Sequence, residues 1–303
     1  MRIGLIGLGD VAKYHIKAIT DIDGLELIVV SDVDSSRNPN IPGVEFCQDY
    51  KEMLSTRIDA VAITTPNYLH APMTIDALCS GKNVLVEKPM TTNLEDATRM
   101  IDVARANERV LIVSYHFQFV PEVQHFLQTK EQYGDIKSFK SDFVGPMHGN
   151  RPWLYKKNES GGGMWMDNGV NVISVLKLFI PNLDIKGAVF EYGSRDKIQD
   201  PLIEDGATVK LGNDYITGTA VLKRRDGELI IRTKFETEKG EIVLDHVNHK
   251  IQHNGKEVFS GKDTRYTGVY KDFIDRLSRG DSNARAALQD LKLVLDAYSR
   301  ASK

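Results

Sequence analysis

Lys88 follows an apolar run, Asn83-Val84-Leu85-Val86, and stands between Glu87 and Pro89. Such a run reads as a buried parallel strand, and the carboxyl ends of parallel strands are where open α/β sheets bind ligands. Desolvation there can lower a lysine pKa from about 10.4 toward the range useful for proton transfer. Proline at the next position fixes φ and is one of the few residues able to hold a cis peptide, so it can set the direction of Lys88. Taken alone, Lys-Pro is equally compatible with a solvated turn. A second group of reactive residues follows a triple glycine, in Gly161-Gly162-Gly163-Met164-Trp165-Met166-Asp167-Asn168-Gly169-Val170-Asn171. A helix beginning at Asp167 would carry Asp167, Asn171 and Ser174 on one face and Val170, Ile173 and Leu176 on a neighbouring apolar stripe. Asp167 can exchange a proton, whereas an amide at Asn171 can only orient a ligand. The plainer alternative is an acid that favours the helix dipole beside a solvated amide.

These residues need elements to hold them. Up to about residue 115, short β-branched runs at 2–6, 25–31, 60–64, 83–86 and 110–114 alternate with amphipathic stretches at 11–20, 50–54, 71–80 and 94–106. That alternation predicts a parallel sheet wound by helices. Gly7-Leu8-Gly9-Asp10-Val11-Ala12 follows the first run and opens the first helix, matching G-x-G-x-x-A. Its glycines allow a tight turn and close approach of a pyrophosphate to the helix N-terminus. Asp32 ends the second run 23 residues after Gly9, at the spacing of a ribose-binding acid, and so favours NAD. Arg37 stands near enough to meet a 2′-phosphate and keeps NADP open. Thr65, Pro66 and Asn67 follow the run at 60–64, and His70 comes three residues later; all four are candidates to face the cofactor. A packing role is the commoner fate of a lone histidine such as His70.

Beyond residue 120 the pattern changes to a helix near 121–130, a strand near 136–143, a polar loop at 145–163 and strand-like runs from 185 to 259 separated by turns such as Asp226-Gly227 and Asn254-Gly255. These runs predict an antiparallel meander, closed by helices near 268–279 and 284–301. The domain boundary falls after residue 119, giving 1–119 and 120–303, with the terminal helix a candidate to pack back on the first domain.

The 303 residues, 41% hydrophobic and 27% charged, suffice for a large core and favour two domains. A net charge of -3 with scattered Lys and Arg argues against nucleic acid. No run reaches the roughly 20 apolar residues of a membrane span, and Ile3 to Leu8 is too short for a signal-peptide core, so a cytoplasmic location is the default. Cys47 and Cys79 lack metal-ligand spacing and read as buried thiols. His246, His249 and His253 show no supporting acids and read as surface or packing residues, so no metal site is expected.

The ordered set of Gly7 to Ala12, Thr65-Pro66-Asn67, Glu87-Lys88-Pro89 and the glycine-rich Asp167 segment resembles the Gfo/Idh/MocA oxidoreductases over nearly the whole chain. The resemblance implies an α/β chain: a Rossmann domain for NAD, with NADP possible, plus a carboxy-terminal α+β domain with an open, mostly antiparallel sheet. It implies that Lys88 and Asp167 line the substrate site beside the nicotinamide, with Glu87 nearby. Many members carry a catalytic histidine one turn after the aspartate, where this chain has Asn171. Asp167-x-Gly169-x-Asn171-x-x-Ser174 is similar to the L-arabinose/D-galactose 1-dehydrogenase branch, in which Lys, Asp and Asn form the catalytic set. The expected reaction is oxidation of a free aldose at its anomeric carbon to a lactone. His116, Gln118 and Trp153 are candidate sugar contacts, and Trp153 could equally pack. Other sugars, polyols or nucleotide-linked sugars, and a non-catalytic regulator of the same fold, are the alternatives. The resemblance also implies a homodimer or homotetramer.

Overall fold

A computed structural model describes residues 1–146, 151–193 and 200–301. The chain divides into two compact units, Met1–Ser114 with Tyr266–Leu291, and Tyr115–Arg265 with the residues from 292 onward. The break after Ser114 lies ahead of the expected boundary, and the first unit is discontinuous in sequence.

The first unit contains, in chain order, β1 (Arg2–Ile6), α1 (Ala12–Asp21), β2 (Glu26–Ser31), β3 (Glu45–Cys47), α2 (Tyr50–Leu54), β4 (Ala60–Ile63), α3 (Asn67–Cys79), β5 (Asn83–Glu87), α4 (Leu94–Ala106) and β6 (Leu111–Ser114). All six strands are parallel, in the order β3-β2-β1-β4-β5-β6. This is the doubly wound order of dinucleotide-binding sheets. Every residue of β4 and β6 is buried, because helices cover both faces and leave no alternation. The register pairs Ile6 with both Ser31 and Ile63, Ile63 with Val86, and Glu87 with Ser114. The turns after β1, β2, β4 and β5 therefore leave the same edge of the sheet.

Two local features differ from expectation. β3 has only three residues, too few to show a period. α3 begins at Asn67 with Pro66 as its N-cap, earlier than the expected start at residue 71, and it contains Pro72. Proline fits most easily near a helix start, so Pro72 drew the expected boundary inward.

The second unit supplies α5 (Pro121–Thr129), β7 (Ile136–Gly145), α6 (Lys157–Ser160), α7 (Val170–Leu176), β8 (Asp184–Glu191), β9 (Gly206–Gly212), β10 (Thr217–Arg224), β11 (Ile230–Thr237), β12 (Gly240–Asp245), β13 (Lys250–His253) and β14 (Lys256–Ser260). They form one eight-stranded sheet, β14-β13-β12-β11-β7-β10-β9-β8. The expected meander is corrected at one place. β7 lies between β11 and β10, antiparallel to the former and parallel to the latter, so β10 and β11 do not pair. Phe126, Phe179 and Phe235 pack with ring centroids 5.0–5.4 Å apart and centre the core of this unit. α8 (Arg265–Arg279) and α9 (Ala284–Ser299) end the chain.

Cys79 is exposed, contrary to the expected buried thiol, whereas Cys47 is half-buried and burial pushes its thiol pKa up. Among the described residues no helix is long and apolar enough to cross a membrane.

Phe235 has no solvent exposure and two aromatic neighbours on its face of the sheet. Phe235→Ala is expected to lower unfolding free energy by roughly 3–5 kcal/mol, read from chemical-denaturation midpoints.

Candidate active site

The turn after β1 is shaped by Gly7. Its φ of +93° disfavours any side chain, and a Cβ there would lie 2.8 Å from Thr65 Cγ2. At Gly9 a Cβ would meet only Arg37 Nη1, at 4.0 Å, so the loop leaves open space above it. α1 begins directly after, and Val11 at its N-cap position has no side-chain group that caps it. By contrast, Asp49 caps α2 and Asn93 caps α4. A helix start under an open glycine turn fits the pyrophosphate of a dinucleotide. Asp10 is exposed and Val11 half-buried at this opening.

Asp32 sits beside the same turn. Its Oδ2 accepts from Leu8 N at 2.8 Å and its Oδ1 from Asp34 N at 2.9 Å. One lone pair on each oxygen therefore braces the loop, and each oxygen retains another for a ribose hydroxyl. Arg37 Nη1 is 3.8 Å from Asp32 Oδ2, and Arg37 Nε bonds Asp34 Oδ2 at 3.3 Å. The guanidinium is about half exposed, so it partly offsets the acid that would repel a 2′-phosphate.

After β4, the Thr64 hydroxyl donates to Gly7 O at 2.6 Å, tying this strand end to the glycine turn. Thr65 Oγ1 is buried with no hydrogen-bond partner among the described residues, which suits a ligand at this edge. Asn67 is buried at the start of α3. His70 takes the packing role weighed for it. It is 1% exposed, with Nδ1 2.8 Å from Pro89 O and Nε2 2.9 Å from Thr65 O. The ring thus braces two loops. Burial holds its pKa below the ordinary value, against the two carbonyls and the Glu87 charge that favour the proton.

The Lys88-Pro89 peptide is cis, and Lys88 is half-buried. Glu87, the other candidate beside the cofactor, is bonded within the protein. It is 5% exposed, its Oε1 lies 3.0 Å from His15 Nε2, and its Oε2 accepts from Lys88 N at 3.2 Å. His15 in turn lies 3.0 Å from Tyr270 Oη through Nδ1. Sequence reading passed over both residues, since a histidine in α1 and a tyrosine 255 positions later carry no local signal.

In the second unit, Trp165–Gly169 forms a π-helical turn that leads into α7. Such turns are rare and recur at functional sites. The expected regular helix from Asp167 is thereby corrected. The wider turn offsets Asp167 from the face that α-helical spacing would give. Ser174 is fully buried and donates to Asn171 O at 2.8 Å, so it does not project with the other two. Asp167 is half-buried. Asn171 is 3% exposed, and its Oδ1 has no hydrogen-bond partner among the described residues. A buried amide oxygen left in this state costs about 1–3 kcal/mol, which a ligand hydroxyl can relieve.

The glycine-rich approach has a steric reason. A Cβ at Gly163 would lie 1.8 Å from Glu204 O. Glu204 is fully buried, and its Oε1 accepts from Trp165 N at 3.0 Å and from Tyr298 Oη at 2.6 Å, anchoring the π turn. His116 is buried against Phe117, and Trp153 is half-buried in a 3₁₀ turn. Gln118 Nε2 donates to Ser174 O at 2.9 Å, which fixes its amide against α7. The histidines judged to lack acids are also corrected. Fully buried Glu122 meets His246 Nδ1 at 2.8 Å and His249 Nδ1 at 3.0 Å. No group of metal-ligating side chains occurs among the described residues.

Residues 1–115 match an oxidoreductase family profile described as GFO_IDH_MocA, NAD-binding Rossmann fold. A dTDP-3,4-didehydro-2,6-dideoxy-alpha-D-glucose 3-reductase of Actinomadura kijaniata is 32% identical over 209 residues, 65% of this chain and 61% of that protein. The chain thus spans about three fifths of that relative's length. Galactose 1-dehydrogenase of Pseudomonas fluorescens is 24% identical over 98% of this chain and 95% of its own length. Among solved structures, a 3-ketoreductase from Actinomadura kijaniata in complex with NADP and TDP-benzene shares the fold at a TM-score of 0.88, with 22% identity, covering 99% of this chain and 98% of that one.

The open space above Gly9 makes a selective test. Gly9→Val should leave the melting temperature near that of the parent yet weaken NADH binding by about tenfold or more, measured by nicotinamide fluorescence.

Proposed function

Because its first 115 residues belong to the Gfo/Idh/MocA oxidoreductase family, we propose that this chain is an NAD(P)-dependent sugar oxidoreductase that converts a free aldose to its lactone at C1. The observation that carries the choice of reaction is Asn171, an amide with an unpartnered buried oxygen where an acid–base residue would be needed for a harder oxidation. An anomeric carbon is easier to oxidise than an isolated secondary alcohol, because the ring oxygen stabilises positive charge as hydride leaves. Similarity along almost the full length to a galactose 1-dehydrogenase supports the same reading.

Gly7, Gly9, Asp10 and Val11 would hold the pyrophosphate and Asp32 the ribose hydroxyls, with Thr65, Pro66 and Asn67 along the same strand-end edge. The nicotinamide, when bound, supplies the hydride acceptor. Asp167 takes the proton of the anomeric hydroxyl. Lys88 holds the oxygen that loses it, and the two roles can be exchanged between them. Asn171 orients the sugar through its amide. His116 and Trp153 are further sugar contacts in this reading. A homo-oligomer and a cytoplasmic location complete it.

A nucleotide-linked sugar is the second reading, favoured by the 32% identity to a dTDP-sugar reductase. Purified protein with NAD or NADP and a panel of L-arabinose, D-galactose, D-xylose, D-fucose, D-glucose and myo-inositol decides between them. Lactone formation from an aldose is the expected result, and silence across the panel with NAD still binding moves the assignment to the nucleotide-linked sugar. Asp167→Ala should lower turnover by about a hundredfold or more with NADH affinity unchanged, and substantial remaining turnover would remove Asp167 from its role. Arg37→Ala should raise the NAD:NADP preference in kcat/KM, since it removes the cation that offsets Asp32.

A further inference from the structure

The loop after β2 carries two acids and a cation in Asp32-Val33-Asp34-Ser35-Ser36-Arg37. Asp34 turns its carboxylate onto the residues that follow it. Its Oδ1 accepts from Ser36 N at 3.0 Å and from Ser36 Oγ at 2.6 Å, and its Oδ2 accepts from Arg37 Nε at 3.3 Å. The Ser36 hydroxyl, the Ser36 backbone N–H and the Arg37 guanidinium hold the Asp34 carboxyl below its ordinary pKa, so the group is charged at neutral pH.

The other end of the guanidinium faces the glycine turn. Arg37 Nη1 lies 3.8 Å from Asp32 Oδ2 and 4.0 Å from the point that a Cβ on Gly9 would occupy. Arg37 is therefore held between two carboxylates, one of which braces that turn through Leu8 N. The Asp34 and Arg37 side chains are both about half exposed, so their pairing contributes little to folding. Its effect falls instead on a charged ligand that arrives at the same edge.

NADP differs from NAD by a phosphate on the adenosine 2′-oxygen, which adds up to about two negative charges and needs donors of its own. Hydroxyl and guanidinium groups are the donors that suit it. Here the Ser36 hydroxyl and Arg37 Nε are already held by an internal carboxylate, and two acids against one cation leave the edge negative. We infer that Asp34 is a specificity-determining residue: by capturing Ser36 and Arg37 and adding a second negative charge beside Asp32, it disfavours a 2′-phosphate and so selects NAD. The inference rests on the reading that Asp32 receives the adenosine ribose, and it adds an acid that acts by charge and donor capture rather than by binding the ribose.

The test is binding of NADH and of NADPH to the full chain, followed by nicotinamide fluorescence, in the parent, Asp34→Asn, Asp34→Ala and Asp32→Ala. Asparagine removes the charge and retains an acceptor for Ser36 N, whereas alanine also releases the serine hydroxyl and the guanidinium. NADPH affinity is expected to rise by about threefold or more in Asp34→Asn, and by at least as much in Asp34→Ala, with NADH affinity close to that of the parent. The gain should shrink in about 1 M salt, where the screening length falls to about 3 Å. A role confined to closing the turn would move both cofactors together and leave their ratio at the parent value, and that result overturns the inference. So does weaker NADH binding in Asp34→Ala with NADPH unchanged, which would make Asp34 a ribose ligand. Asp32→Ala separates the two readings. Weaker NADH binding there, with an unchanged ratio in both Asp34 variants, removes Asp34 and keeps the ribose at Asp32. Unchanged NADH binding there removes the ribose reading and the inference with it.

Discussion

A carboxylate at the inner end of a parallel strand must be hydrogen-bonded, because a buried charge without partners costs several kcal/mol. Glu87 meets that demand with His15 from α1, close to the opposite end of the unit in sequence, and with the N–H of the next residue. Tyr270 extends the line into α8. Tyr266–Leu291 returns to the first unit with these and with further polar contacts to β6, among them Ser282 Oγ to Leu111 O. Asn283 Oδ1 accepts from Val113 N at 2.8 Å, and its Nδ2 donates to Val113 O at 2.9 Å. Asn283 and Ser282 thereby take up edge groups of β6 as another strand would, and remove a site for unwanted pairing.

The second unit uses the same device twice. Glu204 links the residue opening the π turn to Tyr298 near the carboxyl end of the chain. Glu122 on α5 holds His246 and His249, which follow β12. In each case a buried acid joins segments far apart in sequence and converts flexible connections into fixed ones. Thr233 extends the second cluster, with its hydroxyl 3.1 Å from His246 Nε2 and 3.2 Å from Ser141 Oγ. A chain of polar side chains thus runs from α5 into β11 and β7.

The parallel sheet was legible because its signals are local. Each buried strand is a short apolar run, the glycine turn follows the first of them, and Glu87-Lys88-Pro89 closes the fifth. β3 escaped because three residues carry no period, and the start of α3 escaped because Pro72 imitates a helix boundary. In the second unit, turn residues marked the strands correctly, but no turn can reveal that β7 separates β10 from β11. The candidate site divides along the same line. Asp167, Asn171 and Lys88 were visible from residue type and context. The burial of His70 and Glu87, the bond from Gln118 to Ser174 O, and the pairing of Glu122 with two histidines depend on contacts between residues 19 or more positions apart.

The insertion of β7 has a consequence for the order in which the chain can be assembled. During synthesis β7 emerges before either of its neighbours, and its first partner, β10, begins only at Thr217. Until then the middle of the future sheet has two open edges, and closing the intervening loop carries an entropic cost that grows with its length. Pairing of distant strands is slow for the same reason. The apolar residues of β7, Phe139 and Phe143 among them, must therefore remain in a segment without its strand partners while some seventy further residues are made.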